Sequence, residues 1–333
     1  VLMMFYRAPG ELAGELAEMA ECMPHYYKIT NGHGQGAETI MRAEAAFVQG
    51  RFTDAHIALE IAYAQIEGNG QENMALCCDF LAYRLSLFSD VSPRYAAAER
   101  YKALLSRRDT AWIHLWNAIN AYYYAVLGQA GKIPPVFSSH RLGTVNFLAP
   151  GKPMMEMIEN QVCLAQGAYA AVIGRSERLL AMCDAMHYAL TAMHIRIQTA
   201  AAFEMLGKRE EAHALLSHAF SDAEPDGFII PFAENYRYLK PLLGGIHEIA
   251  KLGTMLERRR ARADYPMAFS SLTPREREIA SLISQRLSNR EIAERLYLSE
   301  GSVKQYLNQL YAKLSIEGDT RTKRRRLSEL AES

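Results

Sequence analysis

The chain has 333 residues, of which 50% are hydrophobic and 22% are charged, and its formal net charge is zero. This composition is typical of a soluble globular protein with two or three domains. No apolar run approaches the roughly 18 residues of a membrane span, and no signal peptide opens the chain. The sequence therefore argues against a membrane or secreted protein and predicts a cytoplasmic one.

The charge is distributed unevenly along the chain. Residues 257–333 carry 16 Lys or Arg against 11 Asp or Glu, whereas residues 1–256 carry 21 against 26. A basic C-terminal part on an acidic body indicates a polyanionic partner for that part alone.

The cysteines and histidines indicate neither a metal site nor an enzyme. The five cysteines are odd in number and scattered, without CxxC or Cys/His ligand spacing, which predicts buried free thiols in a reducing compartment. The histidines on helical stretches have no matched nucleophile or ligand set. We expect no catalytic residues, no metal and no cofactor in this chain.

The N-terminal region predicts a helix followed by a linker. Apolar residues recur at helical spacing from residue 11 to residue 23, and Pro24 is expected to end that helix. The Gly-rich stretch Asn31–Gly36 lacks the Lys-Ser/Thr of a phosphate-binding loop and is interpreted as a linker. Because Val1 is not an initiator methionine, the chain is expected to be part of a longer protein.

From residue 38 to about residue 243 the sequence predicts a helical repeat. Glycines end apolar helical runs at Gly50, Gly128, Gly167 and Gly207, with separations of 78, 39 and 40 residues, and Ser89 stands where the missing glycine is expected. A small residue five positions on, as in Gly50-Arg-Phe-Thr-Asp-Ala, lets the second helix of a pair pack closely. This pattern predicts five helix pairs in a right-handed, tetratricopeptide-like solenoid, with a period of about 39 residues.

The repeat after Gly128 departs from the others. Lys132-Ile-Pro-Pro135 is expected to break its second helix, and the irregular stretch runs to Pro153. In the aromatic helix 110–127 before it, Asn117, Asn120 and Tyr124 form a polar stripe. This stripe is either a solvated face or a surface that binds a small polar inducer or a partner segment.

Two segments close the first part of the chain. The aromatic residues of 223–243 are expected to cap the apolar end of the solenoid. The charged run 257–262 is interpreted as the start of a linker, with contact to DNA phosphates as the alternative. The predicted domains are thus 1–256, a repeat domain for sensing or assembly; 257–270, a linker; and 271–333, a DNA-binding domain.

The C-terminal segment predicts a helix-turn-helix. Thr273 with Glu276, and Ser288 with Glu291, form two capping boxes fifteen residues apart, and Ser299 is a good cap for a third helix. Two short helices and a longer one joined by tight turns are typical of this DNA-binding motif. Together with the repeats, this segment predicts an all-α protein.

The segment resembles the DNA-binding domain of LuxR-type transcriptional regulators. The resemblance rests on Leu-Thr-Pro-Arg-Glu at 272–276, Ser-Asn-x-Glu-Ile-Ala at 288–293 and Val-Lys at 303–304. Residues 5–49 and the repeats resemble the middle domain of the large MalT-like, ATP-dependent subgroup. In that subgroup an ATPase domain precedes the repeats, but this chain has no GxxxxGK[ST] motif. Either that domain lies outside this chain or the protein has none.

The expected DNA contacts follow from the third helix. Lys304, Gln305 and Asn308 share its outward face and suit base edges in the major groove, and the resemblance implies base contacts at these positions. The expected phosphate contacts are those of Arg290, Ser299, Ser302 and Tyr306, for each of which a cap or an exposed polar residue is the alternative. Arg286 stands where the family usually has Gly, which indicates a different turn.

The resemblance implies that the last helix forms a homodimer. It carries five basic residues between 321 and 326, which would repel their copies unless DNA is near, so dimerisation is expected on DNA and with a salt-sensitive affinity. The favoured function is a sequence-specific transcription regulator whose repeats receive a signal. The alternative is a protein-interaction scaffold with a weak or non-specific DNA-binding tail.

Overall fold

The computed structural model describes residues 1–67, 70–89, 100, 103, 110–145, 149–263, 273–285, 287–314, 316 and 318–332. Within these ranges the regular elements are helices, and no strand occurs among them, so the predicted all-α fold is confirmed. The chain forms two compact units, Val1–Arg259 and Arg260–Ser333. No helix in the described ranges has the length and apolar character needed to cross a membrane.

The described helices are numbered here in chain order. Those that begin in the N-terminal unit are α1 Leu2–Phe5, α2 Leu12–Ile29, α3 Ala37–Val48, α4 Phe52–Ile66, α5 Glu72–Phe88, α6 Thr110–Leu127, α7 Pro135–Ser138, α8 Lys152–Ala165, α9 Tyr169–Met186, α10 Ala189–Met205, α11 Arg209–Ala223, α12 Ile230–Glu234, α13 Tyr236–Leu243 and α14 His247–Ala263. Those of the C-terminal unit are α15 Pro274–Ser284, α16 Asn289–Leu296, α17 Glu300–Lys313 and α18 Thr320–Glu332.

The four repeat glycines adopt nearly one backbone conformation. Gly50 has φ 77°, and Gly128, Gly167 and Gly207 each have φ 75°, a left-handed conformation that favours glycine after a helix. At Gly50 a Cβ atom would also lie only 2.7 Å from Ile229. Ser89 differs, since its backbone is extended at φ −132°. The glycine spacing therefore identifies real helix ends, whereas the equivalence of Ser89 does not hold in conformation.

The small residues five positions after these glycines are buried, as the sequence pattern predicts. Ala55, Val172 and Ala212 each expose 0% of their surface, and each lies in the first turns of the second helix of a pair. The pairs α3 with α4, α8 with α9 and α10 with α11 are all in contact. Close approach at these positions is what allows each pair to form.

The first helices of successive repeats lie side by side. α3 contacts α5, α5 contacts α6, α6 contacts α8, and α8 contacts α10. The short helix α1 contacts both α3 and α10, and the backbone N–H of Ala189 donates to the Tyr6 carbonyl at 3.0 Å. The first and last helices of the row are therefore bridged. The tetratricopeptide-like assignment and the handedness of the array stay predictions.

The segment 230–243 does more than cap the last helix pair. Its helix α12 contacts α3 as well as α10. The Arg84 guanidinium on α5 pairs with Glu234 through two hydrogen bonds of 2.9 Å, and the Tyr122 hydroxyl on α6 donates to Glu234 at 2.6 Å. The segment therefore also contacts α3, and its carboxylate pairs with a buried arginine of α5. The role of its aromatic residues as an end cap stays a prediction.

The structure corrects one N-terminal expectation and extends another. Helix α2 continues through Pro24 to Ile29, because Pro24 lies on an exposed side of the helix and only one backbone hydrogen bond is lost. The Gly-rich stretch does link α2 to α3, but Gly34 is buried and its N–H donates to Gln71 Oε1 at 2.6 Å. The predicted break after Gly128 is confirmed by short helical turns at 130–132, 135–138, 142–144 and 149–151.

Helix α14 runs through the start of the predicted linker. It ends at Ala263, and residues 264–270 of the predicted linker lie outside the described residues. Within the charged run, the Glu257 carboxylate lies 3.5 Å from Lys240 and the Arg259 guanidinium donates to the Ser89 carbonyl at 2.5 Å. These contacts fix part of the run against the N-terminal unit.

Candidate nucleic-acid interface

Two reciprocal capping boxes set the starts of α15 and α16. Thr273 Oγ1 accepts from the N–H of Glu276 at 3.3 Å, and Glu276 Oε2 accepts from the N–H of Thr273 at 2.7 Å. Ser288 and Glu291 repeat the arrangement at 3.3 and 2.6 Å. Both predicted capping boxes are thereby confirmed. They fix where the first two helices of the motif begin.

The turn between α16 and α17 is built around a left-handed tyrosine. Tyr297 has φ 54° and exposes 96% of its surface, while the N–H of Leu298 donates to the Ala293 carbonyl at 2.9 Å. The Ser299 hydroxyl then accepts from the N–H of Ser302 at 3.0 Å and starts α17. The turn is therefore tight and well bonded. The expected effect of Arg286 on the turn before α16 falls outside the described residues.

The inner face of α17 is held by a compact apolar core. Val303 and Leu310 expose 0% and Leu307 exposes 4%, in contact with Ile279, Ile283 and Ile292 of the two preceding helices. Leu327 of α18, also fully buried, joins this core. These three residues therefore form the inward face of the third helix. Because the inner face is fixed, the direction of the outer face is fixed too.

The outer face of α17 presents three polar side chains. Lys304, Gln305 and Asn308 are all exposed, at helix spacings that place them on one side. In the part of this domain that the structure describes, no hydrogen bond or ion pair engages these side chains. They are therefore available to base edges, for which Lys, Gln and Asn have suitable donors and acceptors.

The four residues predicted to contact phosphate have different surroundings. Arg290 is exposed, and its Nε lies 3.1 Å from Glu294 Oε1; this hydrogen bond raises the pKa of Arg290. Ser299 and Ser302 are engaged in the cap of α17, with their hydroxyls 2.8 Å apart. Tyr306 is half-buried and packs against the core. All four thus have a partner within the domain, and Arg290 and Ser299 are the two that are exposed to solvent.

Two basic side chains of helix α18 make contacts inside the C-terminal unit. The Arg324 guanidinium donates to Asn289 Oδ1 at 2.7 Å and to the Leu287 carbonyl. Lys323 lies over the Tyr311 ring at 5.8 Å. These two side chains are half-buried, whereas Arg321, Arg325 and Arg326 are exposed.

An ion pair between the buried Glu276 and the half-exposed Lys313 joins the start of α15 to the end of α17, and sequence reasoning missed it. Glu276 exposes 2% of its surface, and Lys313 Nζ lies 2.8 Å from its Oε2. Burial alone would raise the pKa of Glu276, but the hydrogen bonds from Lys313 and Thr273 outweigh it and lower that pKa. The capping glutamate therefore also fixes the helix that presents Lys304 and its neighbours.

In the N-terminal unit, the structure places the predicted polar stripe on one half-buried side of α6. Asn117, Asn120 and Tyr124 are all half-buried. The Asn120 amide donates to the Trp116 carbonyl at 3.0 Å, and Lys132 Nζ lies 5.9 Å from the centre of the Tyr124 ring. Burial raises the pKa of Tyr124. Among the described residues, no group of three or more His, Cys, Asp or Glu is placed to hold a metal ion.

The helix-turn-helix agrees with a known family. Residues 270–323 match the family described as bacterial regulatory proteins, luxR family. The C-terminal unit carries a LuxR-family domain. Over 66 residues the chain is 38% identical to the DNA-binding transcriptional activator DevR/DosR of Mycobacterium tuberculosis, covering 20% of this chain and 30% of that protein.

Two further relatives are also transcription regulators. The chain is 35% identical over 78 residues to the transcriptional regulatory protein LnrK of Bacillus subtilis, covering 23% of this chain and 29% of that protein. A protein of Mycobacterium tuberculosis named as an HTH-type transcriptional regulator is 46% identical over 48 residues, which are 14% of this chain and 5% of that protein. The chain thus spans less than a third of the length of each relative. No solved structure matches it.

Proposed function

We propose that this protein is a sequence-specific DNA-binding transcription regulator that acts in the bacterial cytoplasm, where promoter DNA lies. The observation that carries the proposal is the outer face of α17, where Lys304, Gln305 and Asn308 are exposed and unengaged on a helix whose inner face is fixed. A helix held in this way can enter the major groove with its side chains pre-positioned. The LuxR-family domain and the names of its relatives support this function.

The proposed roles divide the interface into two sets. Lys304, Gln305 and Asn308 contact bases and give specificity. The residues that contact phosphate and set register are Arg290, Ser299, Ser302 and Tyr306. The chain is proposed to bind two half-sites as a homodimer through α18, where DNA phosphates offset the repulsion between its basic residues.

The helical repeats are proposed to receive the signal. The N-terminal unit has its own core and buries its charges in pairs, so it is a stable body separate in function from DNA reading. Membership of the large MalT-like subgroup is part of this proposal, supported by the 48-residue match to a far longer regulator. In this proposal the chain itself needs no cofactor and performs no catalysis, and Asn117, Asn120 and Tyr124 remain a candidate face for an inducer or partner.

Selection from a random DNA library with the purified chain, followed by anisotropy titrations, tests the proposal. We expect the selected site to bind at least about a hundredfold more tightly than a scrambled site. Lys304→Ala or Asn308→Ala is expected to weaken binding to the selected site by about tenfold or more, and to change binding to scrambled DNA much less. Gln285→Ala, an exposed change outside α17, is the matched control. Equal weak binding to every sequence would support the scaffold alternative and refute the regulator.

A further inference from the structure

A cavity of about 610 Å³ lies in the N-terminal unit between α1, α2, α3, α5 and the end of α9. Cavities of this size are typical of sites that enclose a small organic molecule. Its walls come from segments far apart in sequence, from Met4 on α1 to Met186 on α9. The Gly-rich stretch forms one side through His33 and the buried Gly34. The stretch interpreted as a linker is therefore also a wall of this cavity.

The cavity lining is unusually rich in methionine. Six of the chain's 15 methionines line it: Met4, Met19, Met23, Met41, Met74 and Met186. Met41 is fully buried, whereas Met4, Met74 and Met186 are half-buried and can change rotamer when a ligand enters. Thioether side chains are flexible and polarizable, so such a wall adapts to apolar ligands of irregular shape, aromatic ones especially.

The charges at the cavity leave an excess of one carboxylate. Arg7 is shared by two glutamates, with its Nε 2.7 Å from Glu15 Oε1 and its Nη2 bonded to Glu18. The side of the cavity at Arg7 therefore carries net negative charge. An anionic ligand would be repelled there, and a cation would be attracted.

Two exposed aromatic rings line the same cavity. Phe5 exposes 49% and Tyr26 exposes 44% of its surface, which is high for side chains of this size. The face of an aromatic ring attracts cations, most strongly when the ring is shielded from water. Two aromatic rings, an excess carboxylate and an adaptable apolar wall are together complementary to one class of ligand.

We propose that this cavity binds an apolar organic cation, and that such a molecule is a signal received by the N-terminal unit. The site lies apart in residues from the polar stripe of Asn117, Asn120 and Tyr124, and its chemistry differs from that of a small polar inducer. The binding step stands independently, while the role as a signal rests on the proposed regulatory function.

Calorimetric titration with two ions of the same shape and opposite charge tests the ligand class. Tetraphenylphosphonium and tetraphenylborate differ mainly in the sign of their charge. At about 0.15 M salt we expect the phosphonium to bind at least about tenfold more tightly. Equal binding of both ions, tighter binding of the borate, or no binding of the phosphonium would overturn the proposal.

Filling the cavity tests the location. Met74→Trp places a larger side chain at the lining and is expected to weaken phosphonium binding by about tenfold or more. Met205→Trp makes the same chemical change at an exposed residue of α10 outside the lining and is expected to leave binding unchanged. If Met74→Trp does not fold, Met186→Phe serves instead. Equal affinity of the filled variant and the control would overturn the location.

Methyl-labelled methionine gives a direct readout. On addition of the phosphonium, we expect NMR shifts of the methyl signals from the six lining methionines, and little change in the other nine. Glu18→Gln should reduce the preference for the cation, whereas Glu38→Gln, which removes a carboxylate paired with Arg42 outside the lining, should not. Shifts confined to other methionines, or an unchanged charge preference in Glu18→Gln, would contradict the site.

These titrations contain no DNA, so they separate the two proposals. Loss of cation binding with retained sequence-specific DNA binding would refute only the cavity. Cation binding without sequence-specific DNA binding would refute the regulator and leave the cavity in place.

Discussion

Removing the carboxylate of Glu234 should destabilise the N-terminal unit strongly. Glu234 is 0% exposed, and its partner Arg84 exposes 6% of its side chain. Glu234→Ala leaves a guanidinium buried without its ion pair, which typically costs about 3–5 kcal/mol. The rings of Phe47, Tyr122 and Phe80 lie 4.8 to 5.6 Å from the Arg84 guanidinium and offset part of that cost. We therefore expect the lower end, about 3 kcal/mol.

The double variant Arg84→Met with Glu234→Met removes both charges while keeping most of the volume. Its cost is expected to be about 1–3 kcal/mol, because apolar groups can replace a buried ion pair with little loss but the buried Tyr122 hydroxyl loses its acceptor. The unfolding free energies lost in Arg84→Met and in Glu234→Met, measured singly and added, should exceed the loss in the double variant by more than about 2 kcal/mol. Tyr122→Phe removes one hydrogen bond to a charged acceptor and should cost about 1.5–3 kcal/mol.

Urea unfolding followed by tryptophan fluorescence measures this effect in the relevant unit alone. The chain has two tryptophans, Trp112 and Trp116, and both lie on α6. A protein with two units need not unfold in one step, so a probe confined to one of them is required. If the two single substitutions are additive, with a coupling below about 0.5 kcal/mol, the Arg84–Glu234 ion pair does not hold the segment 230–243 against α5, and this reasoning is refuted.

Three further predictions concern single positions. Glu276→Ala should destabilise the C-terminal unit by about 1–2 kcal/mol because it removes the cap and the ion pair, and Glu276→Gln should cost less because Gln retains the cap. The pKa of Glu276 is lowered in the folded state, so its contribution to stability is present above the unfolded-state pKa and is lost as the pH falls through the folded-state pKa. The urea midpoint of the parent protein should therefore fall at acid pH, and that of Glu276→Gln should change less. Gly50→Ala should lower the melting temperature more than Gly207→Ala. Both glycines are left-handed, but only at Gly50 would the added Cβ atom lie within 3 Å of a side chain. Tyr297→Gly should stabilise the C-terminal unit by up to about 1 kcal/mol in chemical unfolding, since it relieves a left-handed conformation and removes a side chain that is 96% exposed; a loss of stability would show that the ring makes contacts of its own.

Features encoded within a few residues were predictable from the sequence. A capping box needs only two side chains three positions apart, so the starts of α15 and α16 followed from Thr273 with Glu276 and from Ser288 with Glu291. A glycine after an apolar run similarly marks a left-handed helix end. Pro24 shows the limit of such rules, because a proline on the exposed side of a helix removes only one backbone hydrogen bond, and α2 continues past it to Ile29.

Features that depend on long-range contact were not predictable. Arg84 and Glu234 are 150 residues apart, and nothing in either local pattern names the other. Lys313 likewise looks like an ordinary basic residue at a helix end until it is found beside Glu276. The cavity was not predictable for the same reason. The methionines that line it belong to five helices, and each one alone is typical of a core position.

The bridge formed by α1 between α3 and α10 has a consequence for how this protein can evolve. Open arrays of repeats gain or lose a unit easily, because each repeat contacts only its neighbours. Here α1 joins α3 to α10, and the segment 230–243 reaches from α10 back to α3 and α5. The distances that these two elements bridge depend on how many helices lie between α3 and α10. Duplication or deletion of a single repeat would leave these spans too short or too long. The length of the row should therefore be constant among descendants of this sequence, with variation confined to the surface of the helices and to their loops.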